Sequence, residues 1–175
     1  MADRTISIST HGMSIDDVIA VARDGAQVAI SADARTAMSR SRQQVEQLAA
    51  SDTPVYGVQL QRSLVRSHAA GMGPAVEVEV VRALMLLRLK TLCSGRTGVR
   101  PEVADTMAAL LNERITPIVH EYGSLGCSGD LAPLSHCALV LMGEGRAVDR
   151  DGVERAVPAL LEAAGITPLE LREKE

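Results

Sequence analysis

A short run of small residues contains the groups for an unusual reaction of the backbone. The run is GSLGCSGD at positions 123–130, in which Cys127, Ser128 and Gly129 follow one another. The amide nitrogen of a glycine is the least hindered one in a chain, and that of Gly129 can attack the carbonyl carbon of Cys127. This attack closes a five-membered ring and releases water. Ser128 can then lose its hydroxyl as a second water, which leaves an exocyclic methylidene carbon, an electrophile that no ordinary side chain supplies.

Three other interpretations fit the same run. It can be an ordinary Gly-rich turn into a helix, capped by Ser128 or Asp130. It can be a phosphate-binding loop, although it lacks both the Lys-Ser/Thr ending of a P-loop and the glycine spacing of a dinucleotide-binding turn. It can also present a nucleophilic thiol at Cys127, with His136 or His120 as the base, because a helix N-terminus lowers the pKa of a cysteine. The residue types alone leave these alternatives open.

Composition excludes several classes of function. The chain has 175 residues and a formal net charge of -4, which suits one domain or part of a larger one and gives no sign of a nucleic-acid partner. It shows no apolar signal region at the N-terminus and no run of the roughly 18 apolar residues that a membrane span needs. Three cysteines without paired spacing indicate free thiols in a reducing cytoplasm. No ligand spacing supports a zinc site, so we expect no metal at Cys93, Cys127, His136 and Cys137.

The elements that position the run are predicted to be helices. The aromatic residues are two Tyr, with no Phe and no Trp, so the core must be built from Leu, Val, Ala, Met and Ile, which suits helices better than sheets. We therefore predict a mainly α fold with short extended segments at residues 5–9 and 115–119. Capping residues, apolar periodicity and glycine stops predict helices at residues 14–22, 31–50, 59–71, 79–95, 101–111, 130–143, 156–165 and from 167 onward.

The helix at residues 79–95 is apolar on nearly every side. Such a helix lies inside a bundle or at an interface between subunits, and the rest of the chain offers little to cover it. The last helix signal is the capping box Thr167-Pro168-Leu169-Glu170, which announces a helix of barely two turns that is marginal alone. We therefore expect residues 1–175 to form a single domain that is truncated after Glu175.

The run and its surroundings resemble the aromatic amino acid ammonia-lyases. In that family an Ala-Ser-Gly triplet cyclises into 4-methylidene-imidazol-5-one (MIO), and here Cys127 stands in place of the alanine, of which only the carbonyl is needed. The resemblance continues through LAPLSHCALVLMGEGRA after the triplet and back through SGRTGVRPEVADTMAALLNERITPIVHEYGSLG before it. It implies the N-terminal helical domain of an ammonia-lyase-like fold, an MIO group formed from Cys127, Ser128 and Gly129, and no external cofactor. It also implies that Asp130 assists ring closure.

A second stretch, LQRSLVRSHAAGMG at residues 60–73, is similar to the substrate-pocket helix of the family. Phenylalanine and tyrosine lyases carry bulky or apolar pairs before the Ala-Ala-Gly, whereas histidine lyases carry Ser-His, here Ser67 and His68. The resemblance therefore implies elimination of ammonia from L-histidine to give trans-urocanate, the first step of histidine breakdown, with His68 holding the substrate imidazole. Phenylalanine or tyrosine as the substrate is the remote alternative.

Two departures from the family pattern concern the rest of the molecule. VYGV resembles the start of a family loop whose tyrosine, matching Tyr56, is the proposed base, but Val58 runs directly into Gln59, so we expect an internal deletion at 58–59. The family also continues beyond the position of Glu175 and forms tetramers whose active sites combine several subunits. The resemblance thus implies a homo-oligomer that acts on an amino acid. The alternative is an inert fragment that acts, if at all, only by docking with complete subunits.

Overall fold

The computed structural model describes residues 4–50, 61–126, 130–172 and 175, and the structural statements below concern these residues. Within them, seven helices occupy Ile15–Ala22 (α1), Ala32–Ala49 (α2), Gln61–His68 (α3), Val78–Leu92 (α4), Pro101–Asn112 (α5), Leu131–Leu141 (α6) and Val157–Ala164 (α7). Short strands occupy Thr5–Ile8 (β1), Gln27–Ile30 (β2), Met72–Ala75 (β3), Thr116–Pro117 (β4), His120–Tyr122 (β5), Arg146–Val148 (β6) and Glu154–Ala156 (β7). The predicted mainly α fold is confirmed.

The helix starts follow local signals in the sequence. The Ser14 hydroxyl accepts a hydrogen bond from the Asp17 N–H, and the Asp17 side chain accepts one from the Ser14 N–H, which completes a capping box at α1. Ser31 caps α2 by accepting from the Ala34 N–H. Pro101 occupies the first turn of α5, where its missing N–H costs nothing. All three starts agree with the predictions.

Helix α4 lies in the core, packed against α1 and α5. Most of its apolar side chains are buried in the cluster that these helices share, namely Val81, Met85, Leu86, Leu89 and Leu92. Three stay on the surface: Val78, Val80 and Leu87, the last of them 51% exposed. The expectation that the chain offers little to cover this helix is therefore wrong for most of its circumference, because α1 and α5 cover it.

A buried arginine joins α4 to the ends of the two helices beside it. The Arg82 guanidinium donates to the Val21 carbonyl at 2.8 Å and to the Leu111 carbonyl at 3.2 Å. Both carbonyls lie in the last turn of their helix, where few intrahelical donors remain. Burial, and after it the charge of Arg114, lowers the pKa of Arg82. The sequence of α4 does not predict this role of Arg82, because its two acceptors lie on other helices.

Three small sheets connect the helices. Strands β1 and β2 pair in parallel, β3 pairs with β5 in the antiparallel sense, and β6 lies antiparallel between β4 and β7. The extended segments predicted at residues 5–9 and 115–119 contain β1 and β4. The sequence does not predict their partners, because strand pairing depends on contacts between residues far apart in the chain.

The segment after α7 does not form the helix that its capping box predicts. The Leu169 N–H donates at 2.8 Å to the carbonyl of Leu141, the last residue of α6. Pro168 packs against Gly143, and the Leu169 side chain rests on the core. The predicted helix from residue 167 is therefore wrong, since contact with α6 outweighs a local capping signal.

Candidate active site

Three of the predicted site residues lie in the described part of the chain. Ser67 and His68 form the C-terminal end of α3, and Asp130 precedes α6 as its N-cap residue. Tyr56 and the triplet Cys127-Ser128-Gly129 lie outside the described residues. The described part of the predicted site is therefore the pair Ser67 and His68, together with the residues on either side of the triplet.

The two ends of the loop that carries the triplet are fastened to each other. Asp130 accepts hydrogen bonds from the Ser124 hydroxyl and from the Leu125 N–H, the latter at 3.2 Å. The Ser124 oxygen in turn accepts from the Gly126 N–H at 3.2 Å. Gly126 has a φ of +63°, a left-handed conformation that glycine adopts at little cost. The chain thus turns at Gly126, and Asp130 holds both sides of the loop together.

The hydrogen bonds of His68 determine which ring nitrogen is available. Its Nδ1 lies 2.9 Å from the Leu64 carbonyl oxygen and 3.0 Å from the Ser67 hydroxyl oxygen. A carbonyl can only accept, so Nδ1 carries the proton, and in the neutral ring Nε2 is an acceptor. The Ser67 hydroxyl also donates to the Leu64 carbonyl at 2.9 Å, which holds both side chains against the same turn. The pair thus presents a single acceptor nitrogen.

His68 lines a cavity of about 200 Å³. Leu64 and Val65 of α3 form one wall, and Leu131 and Leu134 from the start of α6 form another. Its few polar lining residues are His68, Arg88, Ser135 and Glu175. A mainly apolar cavity with few polar groups is typical of a small-molecule site. The fold therefore brings His68 together with the start of the helix that directly follows the triplet.

Asp130 lines a second cavity, of about 400 Å³. Ser124, His120 and Glu121 form its polar side, while α4 and the first turns of α6 contribute apolar side chains. Leu134 borders both this cavity and the one that contains His68. His68 and Asp130 therefore line different cavities with a shared wall.

Two further histidines lie beside the site and are held by backbone groups. The Gly71 N–H donates to Nε2 of His136 at 3.0 Å, and Nδ1 of His120 lies 2.9 Å from the Gly73 carbonyl oxygen. Burial, and after it the nearby His120, lowers the pKa of His136. Both rings had been candidate bases for Cys127, yet each has a nitrogen engaged by the segment after His68. The local sequence carries no signal for this contact, because Gly71 and His136 are 65 residues apart.

The other two cysteines are buried free thiols. Burial raises the pKa of Cys93 to about 11 and that of Cys137 to about 12, so both are uncharged near neutral pH and are poor nucleophiles.

Within the described ranges, no group of three or more His, Cys, Asp and Glu side chains is placed to hold a metal ion. No helix in those ranges is long and apolar enough to cross a membrane.

Comparison with known proteins supports a single family. The family model described as aromatic amino acid lyase matches the chain in two segments, residues 13–60 and 58–175. The histidine ammonia-lyase of Streptomyces avermitilis is 60% identical over 189 aligned positions, which cover 98% of this chain and 37% of that protein. A MIO-dependent tyrosine 2,3-aminomutase of Streptomyces globisporus is 40% identical over 188 positions, covering 97% of this chain and 35% of the aminomutase.

Comparison with solved structures leads to the same family. The crystal structure of histidine ammonia-lyase from Trypanosoma cruzi matches with a TM-score of 0.91 at 27% identity, covering 98% of this chain and 36% of that one. The chain thus spans little more than a third of the length of the relatives it matches. The two matched segments together take in Ser67, His68, the triplet and every helix that the structure describes. This chain therefore belongs to the aromatic amino acid lyase family.

Proposed function

We propose that this chain is part of a lyase that eliminates ammonia from L-histidine to give trans-urocanate. The observation that carries the proposal is the hydrogen bonding of His68: its Nδ1 is bonded to a carbonyl, which leaves Nε2 as an acceptor in the neutral ring. The same side chain lines a mainly apolar cavity beside α6. An imidazole N–H of the substrate can donate to Nε2. Apolar walls strengthen that hydrogen bond, because they lower the local dielectric.

The prosthetic group in this proposal is MIO, formed from Cys127, Ser128 and Gly129 with the loss of two waters. When formed, it supplies the electrophilic carbon on which the elimination depends. The described residues on either side fit this group. Asp130 holds the two ends of the loop together, and Gly126 turns the chain just before the triplet. A loop with fixed ends leaves its residues fewer conformations to search before ring closure. No external cofactor is required.

The chain's own residues then have separate tasks. Asp130 fixes the loop against the start of α6, since it is both the acceptor for Ser124 and Leu125 and the N-cap residue. His68 orients the substrate imidazole. Tyr56, which lies outside the described residues, is the proposed base that removes the β-proton. A tyrosine has an ordinary pKa of about 10, so this role needs surroundings that lower it.

Histidine is favoured over phenylalanine by the chemistry of His68. Phenylalanine offers no ring donor to Nε2, and an acceptor left unpaired in an apolar cavity is costly. The relatives at 60% identity are named histidine ammonia-lyases, whereas an aminomutase named for tyrosine stands at 40%. Phenylalanine or tyrosine remains the alternative substrate. We further propose that the complete assembly is a homotetramer of the cytoplasm.

A second candidate function is an inert segment that acts only by docking with complete lyase subunits. The two segments that match the family meet at residues 58–60, close in the sequence to Tyr56. The alignment with the Streptomyces avermitilis protein extends over 189 positions, more than the 175 residues of this chain. These facts support a deletion at 58–59, two residues along the sequence from Tyr56.

Urocanate formation tests both candidates. L-Histidine is offered to the chain alone and to the chain mixed with a complete histidine ammonia-lyase, and the product is followed by ultraviolet absorbance. If the chain is the proposed lyase, it forms urocanate without any added subunit, and Ser128→Ala abolishes this activity. His68→Phe raises the KM for L-histidine, whereas the control Ser63→Ala, at an exposed position, leaves it unchanged. No product from the chain alone favours the docking candidate. Equal rates for the wild type and Ser128→Ala contradict the MIO route.

A further inference from the structure

We propose that His120 and His136 act as positioning residues for Ser67 and His68, by clamping the backbone between Gly71 and Gly73. We call these two rings the histidine clamp. The proposal rests on the proposed function, because it assigns the clamp to the same site. It concerns residues outside both the triplet and the substrate pair.

His136 connects the segment after α3 to α6. The Gly71 N–H lies 3.0 Å from Nε2 of His136. Because an N–H can only donate, this nitrogen is the acceptor, and the neutral ring carries its proton on Nδ1. His136 lies in the middle of α6, the helix that begins immediately after Asp130. The bond therefore connects the segment after α3 to the helix that follows the triplet.

His120 connects the same segment to the strand before the triplet. Its Nδ1 donates to the Gly73 carbonyl at 2.9 Å, and its backbone pairs with Ala75 where β5 meets β3. The His120 and His136 rings meet edge to face, with centroids 5.5 Å apart and an angle of 68° between their planes. These two rings thus join three parts of the chain: β5 before the triplet, α6 after it and the segment after α3.

Gly71 approaches the clamp too closely to carry a side chain. A Cβ at this position would lie 2.9 Å from Nε2 of His136 and 3.2 Å from Cβ of His120. Only two residues separate Gly71 from His68, and the Ala70 N–H bonds back to the His68 carbonyl at 2.8 Å. A displacement of Gly71 is therefore transmitted to the end of α3 and to the His68 ring.

The clamp requires a neutral His136, since a protonated Nε2 cannot accept a hydrogen bond. Burial, and after it the nearby His120, lowers the pKa of His136, which favours the neutral ring near pH 7. His136 and Glu144 line a third cavity, of about 420 Å³. Glu144 is paired with Arg66 of α3 at 2.7 Å. The titratable and charged groups that line this cavity with His136 are His120, Glu144, Arg146 and Glu154.

Two substitutions of His136 separate positioning from the filling of space. His136→Gln keeps a side-chain oxygen that can accept from Gly71, whereas His136→Leu fills similar space without an acceptor. Without substrate, the Gly71 amide hydrogen should exchange about tenfold faster in the Leu variant, as expected for one lost hydrogen bond. The His68 ring nitrogens, observed by NMR, should keep the Nδ1-protonated tautomer in the wild type and the Gln variant and average between tautomers in the Leu variant.

A control variant separates positioning from loss of stability. Val28→Ala removes part of a buried side chain on β2, which belongs to a different sheet, and should lower the thermal midpoint without changing Gly71 exchange or the His68 tautomer. A titration with L-histidine should then give a raised dissociation constant for His136→Leu and a nearly normal one for His136→Gln.

Three outcomes overturn the clamp. In the first, His136→Leu leaves Gly71 exchange and the His68 tautomer as in the wild type. In the second, Val28→Ala changes both as much as His136→Leu does. In the third, His136→Gln behaves no better than His136→Leu. Failure of the wild-type chain to bind L-histidine contradicts the proposed function instead, because the exchange rate and the tautomer are measured without substrate.

Discussion

At the scale of single residues, the site depends on hydrogen bonds whose direction follows from their partners. The Leu64 carbonyl sets the proton of His68 on Nδ1, and the Gly71 N–H sets Nε2 of His136 as an acceptor. The residue types Ser67, His68 and Asp130 could be selected from the sequence, because they stand in recognisable motifs. The tautomers could not, because they depend on backbone groups brought near by the fold.

The contacts of Asp130 lead to the first prediction. Asp130→Asn exchanges a carboxylate that accepts from Ser124 and Leu125 for an amide with one accepting oxygen. We expect ring closure in the newly synthesised chain to slow by about fivefold to tenfold, since one lost hydrogen bond is worth about 1 kcal/mol. The measurement is the intact mass as a function of time. The exposed control Asp151→Asn should cyclise at the wild-type rate, and equal slowing in both variants would contradict a specific role for Asp130.

At the scale of elements, local sequence signals determine some helix starts, and tertiary contacts determine the rest of the secondary structure. The starts of α1 and α5 are predictable because their signals, the Ser14 capping box and Pro101, lie within one turn of the helix end. The capping box at 167–170 looks equally strong, yet its segment packs against α6 through the bond from Leu169 to Leu141. The pairing of β3 with β5 lies beyond prediction for the same reason, since nothing near residue 72 indicates residue 122.

Adjacent leucines of α4 test how the chain covers this helix. Leu86 is 0% exposed and Leu87 is 51% exposed. We expect Leu86→Ala to lower the free energy of unfolding by about 2–5 kcal/mol, because it leaves a cavity in the core, and Leu87→Ala to change it by about 0.5 kcal/mol or less. Urea unfolding of the two variants provides the comparison. Equal losses would mean that the chain does not bury α4 as described.

At the scale of the whole molecule, a buried carboxylate connects distant parts of the chain. Glu175 is paired with Arg100 at 2.5 Å and lies 3.7 Å from Arg42 of α2, and its side chain is 0% exposed. Burial alone would raise the pKa of Glu175, but hydrogen bonds from Arg100 and from the Arg172 N–H outweigh it, so the pKa lies below its ordinary value. Glu175 also lines the cavity that contains His68. The network thus connects the segment after α7 to the cavity that His68 lines.

Removal of this charge should destabilise the whole fold. We expect Glu175→Gln to lower the free energy of unfolding by about 3–5 kcal/mol, because it removes the buried carboxylate that pairs with the Arg100 guanidinium. The matched control Glu79→Gln breaks an exposed pair with Arg23 and should cost about 1 kcal/mol or less. Urea unfolding at pH 7 measures both, and losses of equal size would contradict the buried network.

The same network predicts how stability depends on pH. A carboxyl group with a lowered pKa in the folded state stabilises the fold above its ordinary pKa of about 4.5, and this contribution is lost as the pH falls below that value. The difference in stability between the wild type and Glu175→Gln should therefore be largest at neutral pH and shrink in acid. A difference that grows in acid would reverse the assigned sign.

The central claim, that Cys127, Ser128 and Gly129 close into an electrophilic ring, has one direct test. The intact mass of the purified chain is compared with the mass that its sequence requires, and any difference is located by peptide mapping. A shortfall of two water molecules in the peptide that contains residues 127–129 is the predicted result. Ser128→Ala, which has no hydroxyl to eliminate, should fall short by one water at most. A wild-type chain with its full sequence mass would contradict the claim.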